Sequence, residues 1–437
     1  MKMKKKILAL ISAAVMLGAS GCADDSVIRD QAKQTTITLS WWGNDSRNEY
    51  TIEAVSRFEK LHPEIKVKCS YSEWSGYEAR SQVQMISGTE ADVMQINVGW
   101  LGQYSPDGQG YYDLEKLSDI IQLSNFPKEM LDYGRQNGVL NAIPIAMNAE
   151  TLYINKDVYD RFGLSVPQTW DDLFRAAKTL SKHSIYAVAG AAKSLWLYTI
   201  TYAEQVTGRQ FLNENSEIAF SADDLKVMIE FYCRLVNEKV CPKVEDFQRY
   251  NIDNGTYAGV VGWVSDALNY YKDVMAKGTV IVPASYTALD PAKDGEGWYA
   301  KPATLYAMSR NTEHPKEAAM LLDFMLNSKE WAELQGVEKG IPISTTARNY
   351  LDENGMLSGL QFEASQIMEK NERIKPMNAL VENAGLYNGF FDACNLVLFD
   401  KAALDEASKL LFETYAGSFS TVGGKAPETE SNSDSKQ

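Results

Sequence analysis

The feature that most constrains the fold is the alternation of strand and helix patterns over residues 36–98. "TITLSWW" places apolar residues at every second position, which is typical of a β-strand. A segment with helical apolar spacing follows and ends at Pro63, and "IKVKCSY" then alternates again. "ADVMQINV" is short and almost continuously apolar, as a strand buried in a parallel sheet must be. This order predicts a βαβ unit and therefore an α/β fold.

Start signals predict helices along the rest of the chain. Thr169 with Asp172 and Ser221 with Asp224 form capping-box patterns ahead of segments that carry apolar residues on one face. Pro315 lies in the first turn of a further helical segment. The predicted class is therefore α/β with helices throughout.

The chain is too long for one ordinary hydrophobic core. It has 437 residues, and a chain of this size usually divides into two units. Residues 22–35 are predicted to be a short tether. The end of the chain, "GGKAPETESNSDSKQ", is polar and lacks bulky apolar residues, so residues 417–437 are predicted to be a disordered tail.

Residues 1–21 have the pattern of an export signal. Four lysines precede an apolar stretch of about 14 residues, which is too short to span a bilayer as a helix. "LGASGC" resembles the bacterial lipoprotein signal, although Ala19 stands where leucine is favoured. The resemblance implies that Cys22 becomes the lipidated first residue, and two acyl chains would anchor it stably. The alternative is an ordinary cleaved signal followed by an incidental cysteine.

Charge and composition exclude several classes of function. The net charge is −15, and removal of residues 1–21 takes away four lysines and no acid, which leaves −19. This acidity argues against nucleic-acid binding and against an anionic-membrane patch. Only three histidines are present, so we expect neither a histidine-based metal site nor a cofactor. The other cysteines show no CxxC spacing; Cys233 and Cys241 could approach each other, but isolated buried thiols are the favoured interpretation.

The sequence carries no recognisable catalytic motif. GxSxG, GxxxxGK[ST], HExxH and a GxGxxG after a strand are all missing. Acidic pairs such as Asp171 with Asp172 lie at helix starts, where their negative charges interact favourably with the helix dipole. We therefore expect no enzyme, although a distant carboxylate pair of the glycosidase kind stays open.

Aromatic residues stand beside small polar residues in several loops. Examples are "WWGNDSRNEY", "INVGWLGQYSPDG", "AAKSLWLYTITYAEQ", "GVVGWVSDALNY" and "KDGEGWYAKPATLY". A sugar ring has an apolar face that an aromatic ring can cover, and its hydroxyls pair with Asn, Asp, Glu and Arg. By their spacing, Trp41, Trp170 and Trp331 are expected in the core instead.

These residues resemble the family 1 extracellular solute-binding proteins, the maltose-binding-protein-like receptors of bacterial carbohydrate ABC importers. The matching segments are "WWGND", "FEKLHPEIKV", "WSGYEARSQVQMISGTEADVMQINVGW", "GYYDLEKLSD", "IPIAMNAETLYINKDVYDRFGLSVPQTWDDLFRAAKTL", "GVVGWVSDAL" and "HPKEAAMLLDFMLNSKEWAELQGVEKGIPIS". They occur in the family's order over about residues 36–415.

The resemblance implies a two-lobe fold of the periplasmic binding-protein kind, type II-like, with three crossings between lobes. Each lobe would hold a mixed or parallel sheet flanked by helices. Lobe 1 would comprise residues 36–147 and 285–342, and lobe 2 residues 148–284 and 343–416. Ligand would bind in the cleft between them, and hinge closure would present the closed form to membrane permease subunits.

The resemblance also implies a set of cleft residues, with Trp263 as the main aromatic platform. The full set is Asn44, Asp45, Arg47, Trp74, Asn97, Trp100, Asn148, Trp196, Trp263, Asp266, Trp298 and Asn378. Near Asn378 the register against the family is difficult, so Tyr387 or Phe390 is an alternative platform there.

The preferred hypothesis is a non-catalytic, monomeric receptor that delivers an oligosaccharide to an importer. A surface glycoside hydrolase is one alternative, and a receptor of the same fold for a polyamine, iron or a peptide is another. We expect lipid anchoring on the extracellular face of the cytoplasmic membrane. By analogy with surface-tethered receptors, the cell surface is expected to be of the Gram-positive type.

Overall fold

The computed structural model describes residues 34–421, which form a mixed α/β structure, so the α/β class is confirmed. The predicted signal, most of the predicted tether and residues 422–437 lie outside the described residues. The strands are β1 (Thr35–Trp42), β2 (Ile65–Ser72), β3 (Val93–Ile96), β4 (Arg135–Gln136), β5 (Val139–Leu140), β6 (Ala142–Asn155), β7 (Gly259–Trp263), β8 (Ile281–Pro283), β9 (Tyr299–Met308) and β10 (Lys375–Pro376).

Sixteen α-helices lie among residues 34–421. They are α1 (Asp45–Leu61), α2 (Trp74–Ser87), α3 (Gly99–Tyr104), α4 (Lys128–Asp132), α5 (Lys156–Arg161), α6 (Trp170–Leu180), α7 (Ala192–Thr207), α8 (Ala222–Asn237), α9 (Tyr250–Asp253), α10 (Ala267–Ala276), α11 (Pro315–Asn327), α12 (Lys329–Gln335), α13 (Thr345–Glu353), α14 (Leu360–Glu369), α15 (Ala384–Leu398) and α16 (Leu404–Ser418). Both predicted capping boxes are present, at the starts of α6 and α8. Among residues 34–421, no helix has the length and apolarity needed to cross a membrane.

The sheet begins with the predicted βαβ unit. β1 pairs in parallel with β2 on one side and with β3 on the other. The remaining order is β9, β6 and β7, all joined by antiparallel pairing, while β8 pairs with β6 and β10 with β9. Trp41 is fully buried in this sheet, as its alternation with Ile37 and Leu39 predicts.

Strands β6 and β9 run from one half of the molecule to the other. The first residues of β6, from Ala142 to Pro144, pair with the end of β9 beside β3. The last residues, from Glu150 to Ile154, pair with β7. The register against β9 shifts between Pro144 and Met147, and such irregularities bend a strand. The two strands are therefore shared by both halves and form two of their connections.

Each half has its own hydrophobic core. Lobe 1 is the half built on β1–β3, α1 and α11, with Phe58 and Leu322 among its fully buried residues. Lobe 2 is the half built on β7, β8, the end of β6 and helices α6–α8, and its core contains Leu173 and Leu235. Trp170 lies in the lobe 2 core and Trp331 in the lobe 1 core, as predicted.

Three stretches pack differently from the expected division. Helix α13, expected in lobe 2, packs on α12 of lobe 1. Trp298, expected in lobe 1, lies in the lobe 2 core. Residues 417–421, expected to begin the tail, complete α16 and continue to a bridge between Thr421 and Ile218, because Phe419 packs on Tyr415. Cys69, Cys233, Cys241 and Cys394 are free thiols; the last three are buried, as favoured, whereas Cys69 is exposed on β2.

The segment after α12 returns beside β6 before the chain enters α13. Ile343 N donates a hydrogen bond to Ile145 O (3.0 Å), and Pro342 bridges to Ala146. Gly340 permits this approach. Its φ is +102°, and a Cβ atom there would lie 2.6 Å from Ala146 Cβ.

We predict that Gly340→Ala lowers the free energy of unfolding by about 2–4 kcal/mol, since backbone strain and overpacking add. Gly278→Ala is the matched control, because its φ is +93° and nothing lies within 4 Å of the added Cβ. The control should lose only about 1 kcal/mol in urea denaturation. Equal losses in the two variants would contradict close packing of the segment after α12 on β6.

Candidate functional site

A cavity of about 550 Å³ lies between the lobes, and we call it the interlobe cleft. Lobe 1 lines one side, lobe 2 lines the other, and the shared strands β6 and β9 form the floor. The lining residues are Trp42, Gly43, Asn44, Arg47, Glu73, Trp74, Asn97, Asn148, Lys193, Trp263, Ser265, Asp266, Asn269, Lys301, Ala303 and Glu382.

Aromatic rings form the lobe 1 wall of the cleft. Trp42 ends β1 and Trp74 begins α2, and their ring centroids are 4.9 Å apart in an edge-to-face arrangement. Trp100 stacks behind Trp74 at 6.0 Å and on Tyr77 at 6.0 Å. Trp74 is 36% exposed and Trp100 only 4%, so Trp74 presents its surface to the cleft and Trp100 supports it from behind.

The lobe 2 wall is centred on Trp263, at the end of β7. The ammonium group of Lys301 lies 4.4 Å from the centroid of the Trp263 ring, a cation–π contact. Lys301 is only 7% exposed and projects from β9. The charge of Lys301 therefore helps to fix the orientation of this ring.

Glu382 joins two lysines next to Trp263. Its Oε2 atom lies 2.5 Å from Lys301 Nζ and its Oε1 atom 3.2 Å from Lys193 Nζ. Burial lowers the pKa of Lys301, although the charge of Glu382 opposes this effect. Burial also disfavours ionisation of Glu382, but the two lysines outweigh it, so the pKa of Glu382 is lowered. The two lysines thus stabilise the charged form of the Glu382 carboxylate.

Polar side chains of the cleft are fixed by local hydrogen bonds. Asn44 caps α1 by accepting from Arg47 N (2.9 Å), and Arg47 Nε lies 3.1 Å from Glu338 Oε1. On the floor, Asn148 Nδ2 donates to Ser265 Oγ (2.9 Å), while Asn148 Oδ1 accepts from Ser265 N (3.1 Å). These contacts within the protein hold the polar side chains in place before a ligand binds.

The structure brings together seven of the twelve expected site residues. These are Asn44, Arg47, Trp74, Asn97, Asn148, Trp263 and Asp266. Asp45 is exposed in the first turn of α1, Trp100 stands behind the wall, and Asn378 caps a 3₁₀ turn (Ala379–Glu382) by accepting from Leu380 N.

Trp196 and Trp298 are core residues in this structure and do not reach the cleft. Trp196 donates from Nε1 to Val381 O (2.9 Å) and packs on Phe211 and Phe390. Trp298 donates from Nε1 to Thr287 O (3.1 Å). In each case a backbone carbonyl oxygen accepts the hydrogen bond of the indole N–H, and the surrounding side chains bury the ring. The alternative platform Phe390 is fully buried as well.

Sequence reasoning missed several lining residues. Trp42 follows the core residue Trp41 on a strand, so the period of two already points its side chain to the opposite face. Lys193, Lys301 and Glu382 meet only through long-range folding, and no local pattern marks them. Within the described residues, no cluster of three or more His, Cys, Asp and Glu side chains is arranged to hold a metal ion.

Comparison with known sequences places the chain in a family. Residues 44–330 match the family described as bacterial extracellular solute-binding protein. The match covers more than half of the chain, so the chain belongs to this family, and the resemblance found in the sequence is confirmed.

Individual relatives match in part. The melibiose/raffinose/stachyose-binding protein MelE of Bacillus subtilis is 26% identical over 185 residues, 41% of this chain and 41% of its own length. An uncharacterized ABC transporter extracellular-binding protein of Pyrococcus horikoshii is 25% identical over 235 residues, 50% of this chain and 52% of its own length. The chain therefore spans about half or less of these two relatives.

A solved structure matches over a longer range. The periplasmic oligogalacturonide binding protein from Yersinia enterocolitica, in complex with saturated digalacturonic acid, is 29% identical with a TM-score of 0.79. The match covers 87% of this chain and 97% of that protein. The two-lobe fold of solute-binding proteins is thereby confirmed for this chain.

Beneath the cleft lies a buried carboxyl group. Ser194 Oγ donates to Glu150 Oε1 (2.9 Å), and Glu150 Oε2 has no hydrogen-bond partner among residues 34–421. Burial raises the pKa of Glu150 to about 8, and the negative charges of Asp266 and Glu382 add to this effect. Near neutral pH the folded protein therefore keeps a proton on Glu150.

We predict a pH-dependent stability difference for Glu150→Gln. Between the usual carboxyl pKa and pH 8 the folded state holds a proton that the unfolded chain has released, so rising pH costs about 1.4 kcal/mol of stability per unit. Glutamine removes this loss and can still accept from Ser194. The stability gain of the variant over the wild type should therefore grow from pH 5 to pH 8.

Urea denaturation at several pH values measures this difference. Glu413→Gln, at an exposed position of α16, is the matched control and should give a difference that hardly changes with pH. A constant offset between Glu150→Gln and the wild type from pH 5 to pH 8 would contradict a protonated Glu150.

Proposed function

We propose that the protein is the extracellular receptor of an ABC importer and binds an oligosaccharide in the interlobe cleft. The observation that carries this proposal is the pair of aromatic walls, Trp42 with Trp74 on lobe 1 and Trp263 on lobe 2, which face one cavity with polar groups between them. Rings of this kind cover the apolar faces of sugar units, and the polar groups satisfy hydroxyls.

Binding would couple to closure of the lobes. A sugar held between the two walls contacts both lobes only when they approach each other. Because this contact favours the closed state, the ligand shifts the population toward it. The closed form would then dock on the membrane permease subunits.

The names of relatives support a sugar as the ligand. One relative is a melibiose/raffinose/stachyose-binding protein, and the matching solved structure is an oligogalacturonide binding protein. These names include both neutral and acidic sugars, so they do not by themselves fix the ligand's charge.

The receptor is proposed to act without turnover and as a monomer. The alternative of a surface glycoside hydrolase is tested by incubating the pure protein with a glycan panel. More than one equivalent of product per protein would overturn the receptor proposal. A receptor for a polyamine, iron or a peptide would instead bind its own solute and no glycan in the panel.

The central binding prediction concerns Trp263. Trp263→Ala should weaken oligosaccharide binding by about 30-fold or more, since a central aromatic anchor typically contributes ~2 kcal/mol or more. Calorimetry with the best glycan of a thermal-shift screen measures the change. Phe399→Ala is the control, because Phe399 is an exposed aromatic residue outside the cleft. Unchanged affinity in a folded Trp263→Ala protein would refute the platform assignment.

We further propose lipid anchoring through Cys22, on the outer face of a Gram-positive type of membrane. A cell without an enclosing periplasm must keep its receptor near the importer. We predict that Cys22→Ser moves the protein from the membrane fraction to the medium or the soluble fraction. Immunoblots of fractions from the expressing cell measure this distribution. Retention of the variant in the membrane fraction would contradict the anchor.

A further inference from the structure

The cations of the interlobe cleft are all engaged by carboxylates of the protein itself. Arg47 is paired with Glu338, and both Lys193 and Lys301 are paired with Glu382. Lys301 is additionally covered by the Trp263 ring. A ligand carboxylate would therefore share each lysine with Glu382, whose charge already counters theirs.

Two carboxylates of the cleft lack such a partner. Among residues 34–421, neither Glu73 nor Asp266 forms a salt bridge, and both line the cavity. The hydrogen bond that Asp266 accepts comes from Asn269 Nδ2 at 3.4 Å. These oxygens are acceptors available to ligand hydroxyls, and they repel a ligand carboxylate.

The charged groups in and beside the cleft also sum to a net negative charge. The three lining cations face three lining carboxylates, Glu73, Asp266 and Glu382, and Glu338 adds a fourth negative charge beside Arg47. The whole chain carries a net charge of −15. Long-range attraction therefore does not help an anionic sugar to approach the cleft.

We propose that the interlobe cleft selects neutral oligosaccharides over oligosaccharides of uronic acids, with Glu382 as the main specificity-determining residue. Glu382 occupies the position between Lys193 and Lys301 that a uronate carboxylate would need. Glu73 and Asp266 add repulsion and accept hydroxyl hydrogen bonds from a neutral sugar. This inference rests on the proposed function, because it names the class of sugar for the same site.

The first experiment compares ligands that differ in charge. Purified protein is screened by thermal shift against maltotriose, cellotriose, raffinose, stachyose, digalacturonic acid and trigalacturonic acid. The best neutral binder is then oxidised at its primary hydroxyls to the corresponding uronic acid, and both forms are titrated by calorimetry. The uronic acid should bind about tenfold more weakly or worse.

The second experiment changes the charge of the cleft. Glu382→Gln leaves the two lysines without their carboxylate, so the ratio of neutral to uronate affinity should fall by about tenfold. Glu73→Gln, at an exposed position, should also lower the ratio of neutral to uronate affinity, but by less than Glu382→Gln does. It provides the test of cleft charge if Glu382→Gln does not fold. Glu413→Gln is the control for loss of one negative charge outside the cleft and should leave the ratio unchanged.

The outcomes separate the inference from the function on which it rests. A uronic acid as the tightest ligand, or an unchanged ratio in the folded cleft variants, overturns neutral selectivity and leaves the sugar receptor standing. Failure of every glycan to bind overturns the sugar receptor, and neutral selectivity with it. Tighter binding of the neutral form together with a lowered ratio in Glu382→Gln supports both.

Discussion

The pairing of β6 with β9 is the interaction on which the rest of the structure depends. Each strand belongs to lobe 1 at one end and approaches or enters lobe 2 at the other, so neither lobe completes its sheet without them. Register in such a ladder is strongly fixed, because a slip by one residue would turn every side chain to the opposite face. We infer that relative motion of the lobes would bend these strands near the irregular stretch between Pro144 and Met147. The floor of the cleft, with Asn148 and Lys301, is built on these same strands.

Burial of charge explains why the cleft is built from interlocked groups. An isolated ammonium group as buried as Lys301 would be expensive, and the nearby Glu382 and Trp263 compensate for its lost hydration. Glu382 lies just before α15, far along the chain from Lys193 and Lys301. The three side chains can therefore meet only after the C-terminal part of the chain has packed on lobe 2. The same network thus connects the integrity of lobe 2 with the orientation of the aromatic platform.

Local patterns predicted the elements well and the site only in part. The alternation in β1, the capping boxes of α6 and α8 and the βαβ order are consequences of short-range chemistry, and all are confirmed. The family resemblance implies Trp196 and Trp298 as cleft residues, yet both lie in the core, where neighbouring carbonyl oxygens accept hydrogen bonds from their indoles. Lys193 and Glu382 are separated by 189 positions, and only tertiary folding reveals that they meet.

The placement of the cleft residues divides their roles in binding. Asn148 is bonded to Ser265, and Lys301 is paired with Glu382 beside Trp263, so both would move with lobe 2 in the proposed closure and could contact a ligand equally in open and closed states. Contacts that are equal in both states raise affinity but shift no equilibrium. The walls differ, since Trp74 and Trp263 can hold the same sugar only when their lobes approach. We infer that the floor contributes mainly to capture, whereas the two walls supply the differential affinity that drives closure.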